Sequence, residues 1–183
     1  MGETVTFRSN GHTCDGYLAG QGPGVLVIQE WWGLVPHILD VVDRFAAAGF
    51  TALAPDLYHG DSSTEPDGAG KLMMSMNVEQ AAKDMSGAID LLIERSGSPK
   101  VGVVGYCMGG GLALVVAARR ADAVAACAPY YGVIPWPSAQ PDLSAITATI
   151  VALISMPMPS RCMDAPSMKL DMFTGTSRIS AAR

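Results

Sequence analysis

The alternation of apolar and polar positions changes period along this chain, and each change marks an element. Residues 4–7 alternate as a short strand does, and residues 16–19 supply a hairpin partner across the polar Asn10-Gly11 turn. After a glycine-rich break, Val25-Leu-Val-Ile28 is apolar without interruption, as expected of a central parallel strand covered on both faces. From Pro36, the apolar residues Ile38, Val41, Val42, Phe45 and Ala46 recur at helical spacing, and Gly49 is placed to stop that helix. Residues 50–54 predict the next strand, ended by Pro55-Asp56, whereas residues 61–70 are polar and glycine-rich and read as a surface loop or flap. Asn77 followed by Gln80 matches an N-cap with its capping-box partner. Val78, Ala81, Met85, Ile89 and Leu92 then form one apolar face up to Arg95.

The remaining elements follow in the same rhythm. Residues 101–106 predict a buried strand, residues 108–120 a helix, residues 123–128 another strand, and residues 149–154 one more. Strand and helix alternate, which predicts an α/β fold: a mostly parallel sheet with helices on both faces, joined by right-handed crossovers. Residues 155–183 break the rhythm. They hold five methionines and three prolines, and no amphipathic helix can be traced through them. The chain therefore divides into an α/β domain over residues 1–154 and a divergent tail over 155–183, and the sheet is expected to be incomplete at its C-terminal end.

The chemistry concentrates where the strand at 101–106 turns into the next helix. Gly105-x-Cys107-x-Gly109 is a strand-to-helix turn of the nucleophile-elbow type. A side chain on so sharp a turn sits in strained backbone, and neighbours carrying a Cβ would collide with strand and helix. The amide of Met108, opening the helix, points towards the space where an oxyanion would form. Two other readings compete: a small buried structural cysteine, and a glycine-rich phosphate cradle. The cradle fits poorly, because Leu114 stands where G-x-G-x-x-G needs its third glycine and no Gly-Lys-Ser/Thr occurs.

Composition narrows the class. With 183 residues, 49% of them hydrophobic, there is material for one ordinary core. A net charge of -5 with 12 basic residues argues against a nucleic-acid partner. No apolar run is long enough for a membrane span and no secretory leader is visible; Met1-Gly2 with Thr6 meets only the loose myristoylation pattern. Cys14, Cys107, Cys127 and Cys162 show no C-x-x-C pairing, so the usual zinc and redox signatures are absent, and no cofactor motif is seen. A cytoplasmic enzyme is expected.

Four motifs in order, Glu30 in Gln-Glu-Trp-Trp-Gly, Ala54-Pro-Asp-Leu-Tyr58, Gly105-Tyr-Cys-Met-Gly-Gly110 and Tyr130-Tyr-Gly132, resemble the dienelactone hydrolase (carboxymethylenebutenolidase) family of the α/β-hydrolase fold. The resemblance covers residues 5–154. It implies cleavage of an ester or enol-lactone by a Cys-His-Asp triad with a buried glutamate beside the thiol. Cys107 would be the nucleophile, Glu30 the glutamate that helps generate the thiolate, and the amides of Trp31 and Met108 the oxyanion hole. Trp32, His59 and Tyr131 are possible pocket residues; His59 reads first as a surface or loop histidine, since isolated loop histidines usually face solvent, and the tryptophans read equally as core. The resemblance implies a small-molecule substrate; no cofactor is expected, no zinc ligand set is visible in the sequence, and metal and oligomeric state are left open.

The chain departs from the pattern at two triad positions. Its histidines are His12, His37 and His59, all before Cys107, and neither Asp164 nor Asp171 lies in the expected surroundings. Arg178 stands near the place of the family's histidine, and arginine cannot act as a base. The expectation is a C-terminal part that is out of frame, deleted or truncated. Rival readings are a non-catalytic remnant that binds a small acyl ligand or a partner, and a thiol redox protein in which Cys107 condenses with Cys127.

Overall fold

A computed structural model describes residues 2–151 of the protein. Seven strands form one sheet: β1 (Glu3–Ser9), β2 (His12–Ala19), β3 (Gly24–Ile28), β4 (Thr51–Pro55), β5 (Val101–Tyr106), β6 (Val124–Tyr130) and β7 (Thr149–Ile150). The spatial order is β1-β2-β4-β3-β5-β6-β7. The β1–β2 hairpin joins antiparallel, pairing Ser9 with His12 at its tip and Gly16 with Pro55 of β4, and from β4 to β7 every pairing is parallel. The mostly parallel α/β sheet expected from the alternating pattern is present.

Helices α1 (Pro36–Ala47), α2 (Pro66–Ser75), α3 (Val78–Ser96) and α4 (Met108–Arg119) complete the described elements. One face of the sheet packs on α1 through Ile38, Val41 and Val42, and the other on α3 and α4 through Met85, Ile89, Leu92, Leu112 and Val116. Leu26, Val27 and Ile28 are fully buried between these layers, which is why β3 reads as an unbroken apolar run. Burying each such side chain stabilises the fold by about 1.5–3 kcal/mol. The Asn77 side chain accepts from the Gln80 amide at 3.1 Å and caps α3, which ends at Gly97 in the left-handed conformation (φ 65°).

One local expectation is corrected. Residues 61–70 do not form a continuous loop, because α2 starts at Pro66. Proline at the first helical position presets φ where no amide hydrogen bond is lost, and Asp67 sits in the first turn. Ala69 and Met73, one turn apart, are buried, and the Trp136 indole donates to the Met73 carbonyl at 3.2 Å. Packing of this narrow apolar stripe outweighs the low helix propensity of Gly68 and Gly70. The tail over 155–183, including Cys162, Asp164, Asp171 and Arg178, lies outside the described residues.

Candidate active site at the β5–α4 turn

β5 delivers Cys107 at the carboxyl end of the central sheet, and the backbone there is strained. Cys107 has φ 54° and ψ -120°, a combination non-glycine residues rarely adopt. The neighbourhood holds it in place: its amide donates to the Tyr130 carbonyl at 3.1 Å, and its carbonyl accepts from Gly110 at 2.9 Å and Val133 at 3.1 Å. The flanking glycines are required by contact. A Cβ on Gly105 would lie 2.0 Å from the Gly109 carbonyl oxygen, and one on Gly109 would lie 2.5 Å from the carbonyl oxygens of Ile28 and Gln29. Cys107 itself is half-buried, whereas Cys14 and Cys127 are buried.

Glu30 and Tyr131, named from the sequence, meet beside this turn. Met108 is the first residue of α4, so its amide has no acceptor within the helix. Trp31 and Trp32 follow Glu30 in the loop after β3, their rings edge to face with centroids 5.0 Å apart. That loop is tied to the one after β4, since Ser63 donates to the Trp32 carbonyl at 3.0 Å. The Tyr131 hydroxyl donates to Glu30 Oε1 at 3.2 Å, so Glu30 is held by a side chain from the end of β6. Burial, then the Glu30 charge and this hydrogen bond, push the Tyr131 phenol well above its ordinary value, with Cys107 contributing further.

Tyr58, the last residue of the Ala54-Pro-Asp-Leu-Tyr58 motif, has a role that the sequence does not reveal. Its hydroxyl donates to the Trp31 carbonyl at 3.2 Å and lies 3.2 Å from Met108 Sδ, joining the β3 loop to the start of α4, which carry the oxyanion-hole candidates. Burial and then the charge of Cys107 raise its phenol, which keeps it a neutral donor. The aromatic after Pro-Asp-Leu at a strand end was the available signal.

His59 lies elsewhere. It has φ 54°, its side chain is 45% exposed, and its Nε2 stands 3.1 Å from Oδ2 of the buried Asp84 on α3. It lines a groove with Tyr58, Leu72 and Gln80 that does not include Cys107. Cys14, His59 and Asp84 place ligand-type atoms within 4.8 Å of one another. The three residue types match a Cys-His-Asp triad, but Cys14 is 1% exposed in the middle of β2, with no helix opening above it, so an acyl carbon has no approach to its sulfur. Among the described residues no helix is long and apolar enough to cross a membrane.

The chain is 43% identical over 143 residues to Protein usf of Aquifex pyrophilus, covering 72% of this chain and 62% of that protein. It is 35% identical over 147 residues to carboxymethylenebutenolidase 1 of Cupriavidus pinatubonensis, covering 72% of this chain and 61% of that one. This chain thus spans about three fifths of the length of these curated relatives. A solved dienelactone hydrolase-like promiscuous phosphotriesterase from metagenomic libraries superposes with a TM-score of 0.68 at 22% identity, covering 82% of this chain and 66% of that one, and shows the shared fold. The dienelactone hydrolase family model matches residues 14–159, which takes in the β3 loop, the elbow cysteine and the β6 end together, and so the chain belongs to the dienelactone hydrolase family.

Proposed function

We propose that the protein is a carboxylic ester hydrolase of the carboxymethylenebutenolidase type, opening a small ester or enol-lactone through Cys107. The observation that carries this reading is the strained backbone of Cys107 at the β5–α4 junction, which sets the thiol at the end of β5 beside the first amide of α4. A thiol with an ordinary pKa of about 8.5 to 9 is at most a few per cent ionised at neutral pH and needs a base. Glu30, held by the Tyr131 phenol, accepts the thiol proton as the sulfur attacks the acyl carbon. The amides of Trp31 and Met108 stabilise the oxyanion. The acyl C–O bond then breaks, leaving a thioester on Cys107 while the departing oxygen recovers the proton, and water cleaves the thioester to regenerate the thiol.

The relative named carboxymethylenebutenolidase 1 supports a lactone substrate. Cys14 and Cys127, free thiols buried in the fold, suit the reducing cytoplasm, which is where we place the protein. The second reading, a binding protein without turnover, is favoured by one observation: no histidine occurs from 108 to 183, and His59 faces Asp84.

Hydrolysis of a dienelactone and of an activated aryl ester by the full chain, beside Cys107→Ala, separates the two. Release of product that vanishes in Cys107→Ala supports the hydrolase. Saturable binding of the lactone with no acylation of Cys107 supports the binding protein.

A further inference from the structure

Outside the elbow, the described residues contain one other cluster of chemically capable side chains: Cys14 on β2, His59 after β4 and Asp84 on α3, their ligand-type atoms within 4.8 Å of one another. We propose that these three residues form a binding site for a zinc-class divalent cation, separate from the elbow and not predicted by any spacing in the sequence.

The Asp84 carboxylate is arranged asymmetrically. Oδ1 accepts from the Ser9 hydroxyl and, at 2.9 Å, from the Gln80 amide. Oδ2 is equally buried and receives no hydrogen bond. His59 Nε2 lies only 3.1 Å from that oxygen, yet its N–H does not point along the contact. A fully buried carboxylate oxygen without a donor is expensive unless a cation meets it. Two donor atoms at that separation, neither bonded to the other, have the spacing of neighbours on one metal ion. Tetrahedral zinc bonds of about 2.0 to 2.3 Å set neighbouring donors roughly 3.3 to 3.7 Å apart, so a small closure of Cys14 completes the set.

The donor chemistry selects the ion. Sulfur, imidazole nitrogen and one carboxylate oxygen suit zinc better than calcium or magnesium, which require oxygen shells. A thiolate and a carboxylate together carry two negative charges, matching the cation. In the metal-free protein, burial and then the charges of Asp84 and Asp56 hold the Cys14 thiol protonated, and it points at the carbonyls of Asp15, at 3.2 Å, and Asp56. On binding, the S–H bond breaks, the proton leaves to solvent and the sulfur–metal bond forms. Ser9 and Gln80 already hold the outer oxygen, as outer-shell partners do at metal centres. The half-exposed His59 imidazole gives the ion its way in, and water fills the fourth position.

Cobalt is the spectroscopic probe and zinc the stability probe. Cobalt(II) added to the full chain is expected to give one equivalent of a thiolate-to-metal charge-transfer band in the near ultraviolet. The band should persist in Cys107→Ala and vanish in Cys14→Ser. Zinc is expected to raise the melting temperature of the wild type. Because Cys14 is core, His59→Asn provides a second test: asparagine accepts the left-handed backbone at a half-exposed position, so the fold stays and cobalt affinity falls roughly a hundredfold or more. Cobalt bound without a thiolate band, a band that depends on Cys107 instead, or a zinc-independent melting temperature would each overturn the site.

Discussion

Tyr131 and Glu30, 101 positions apart in sequence, meet through a hydrogen bond of 3.2 Å from phenol to Oε1. Tyr131, just after β6, has a positive φ of 37°. The bond fixes where the carboxylate sits, and a hydrogen bond to a charged acceptor contributes about 1.5–3 kcal/mol, less where water competes as it does at this 38% exposed residue. Tyr131→Phe is therefore expected to lower kcat/KM for a lactone roughly tenfold while leaving near-ultraviolet circular dichroism unchanged. Unaltered kinetics would mean that Glu30 needs no such holder.

The two half-reactions make different demands. Acylation needs a proton taken from a thiol, the task proposed for Glu30. Deacylation needs water activated beside the thioester, and residues 108–183 hold no histidine to do it. Loss of a general base lowers a step by about 10² to 10⁴. An aryl ester should then give a burst of about one product per chain followed by slow turnover, with the acyl adduct on Cys107 visible by intact mass. A linear time course without a burst would show that deacylation is not the slow step.

The elbow was legible because its constraints are local: strand, glycine, nucleophile and helix follow one another within a few residues, and each glycine answers to backbone a few ångströms away. The β3 loop was legible for a similar reason, since chemistry at the end of an unbroken apolar strand faces the ligand side of such sheets. What could not be read depends on the meeting of distant segments. Tyr58 acts by joining the β3 loop to the start of α4, and Cys14, His59 and Asp84 come together only when the hairpin, the β4 loop and α3 pack. The start of α2 was hidden by Gly68 and Gly70, whose low propensity is overridden by the burial of Ala69 and Met73.

Thiol accessibility distinguishes the cysteines. Cys107 is half-buried at a helix start, whereas Cys14 is 1% and Cys127 0% exposed. Iodoacetamide under native conditions should label Cys107 well before either, as read by peptide mapping, and urea should make all of them reactive. Prior acylation by the aryl ester should protect Cys107 alone. Labelling of Cys127 at the rate of Cys107 would contradict the packing of β6 against α4.

Gly109 tests the architecture apart from the chemistry. A methyl group there meets the carbonyl oxygens of Ile28 and Gln29 at 2.5 Å, and these are backbone atoms of the central strand and its exit, unable to swing aside. Gly109→Ala is expected to destabilise the protein by about 2–4 kcal/mol in urea unfolding. Gly97→Ala, by contrast, meets nothing within 4 Å and carries only the cost of its left-handed φ of 65°, about 1 kcal/mol. Equal losses at the two positions would show that the elbow is looser than its contacts imply.

Alkaline stability follows from groups the fold keeps neutral. Burial pushes the Cys127 thiol from its ordinary 9.0 up to about 12. Burial and then the Cys107 charge raise the Tyr58 phenol above its ordinary 10.0. Below pH 9 both groups are protonated in the folded and unfolded chains alike, and their full contribution to stability is present. Above that, the unfolded chain gives up protons that the folded chain retains, so stability falls as pH rises, by at most about 1.4 kcal/mol per pH unit for each group. Cys127 contributes from pH 9 until its folded thiol ionises near 12, and Tyr58 joins from pH 10. Urea midpoints should therefore be level from pH 7 to 8.5 and decline beyond 9, and Cys127→Ala, although less stable at neutral pH, should decline less steeply between 9 and 10. A slope unchanged by that substitution would place the titrating groups elsewhere in the chain.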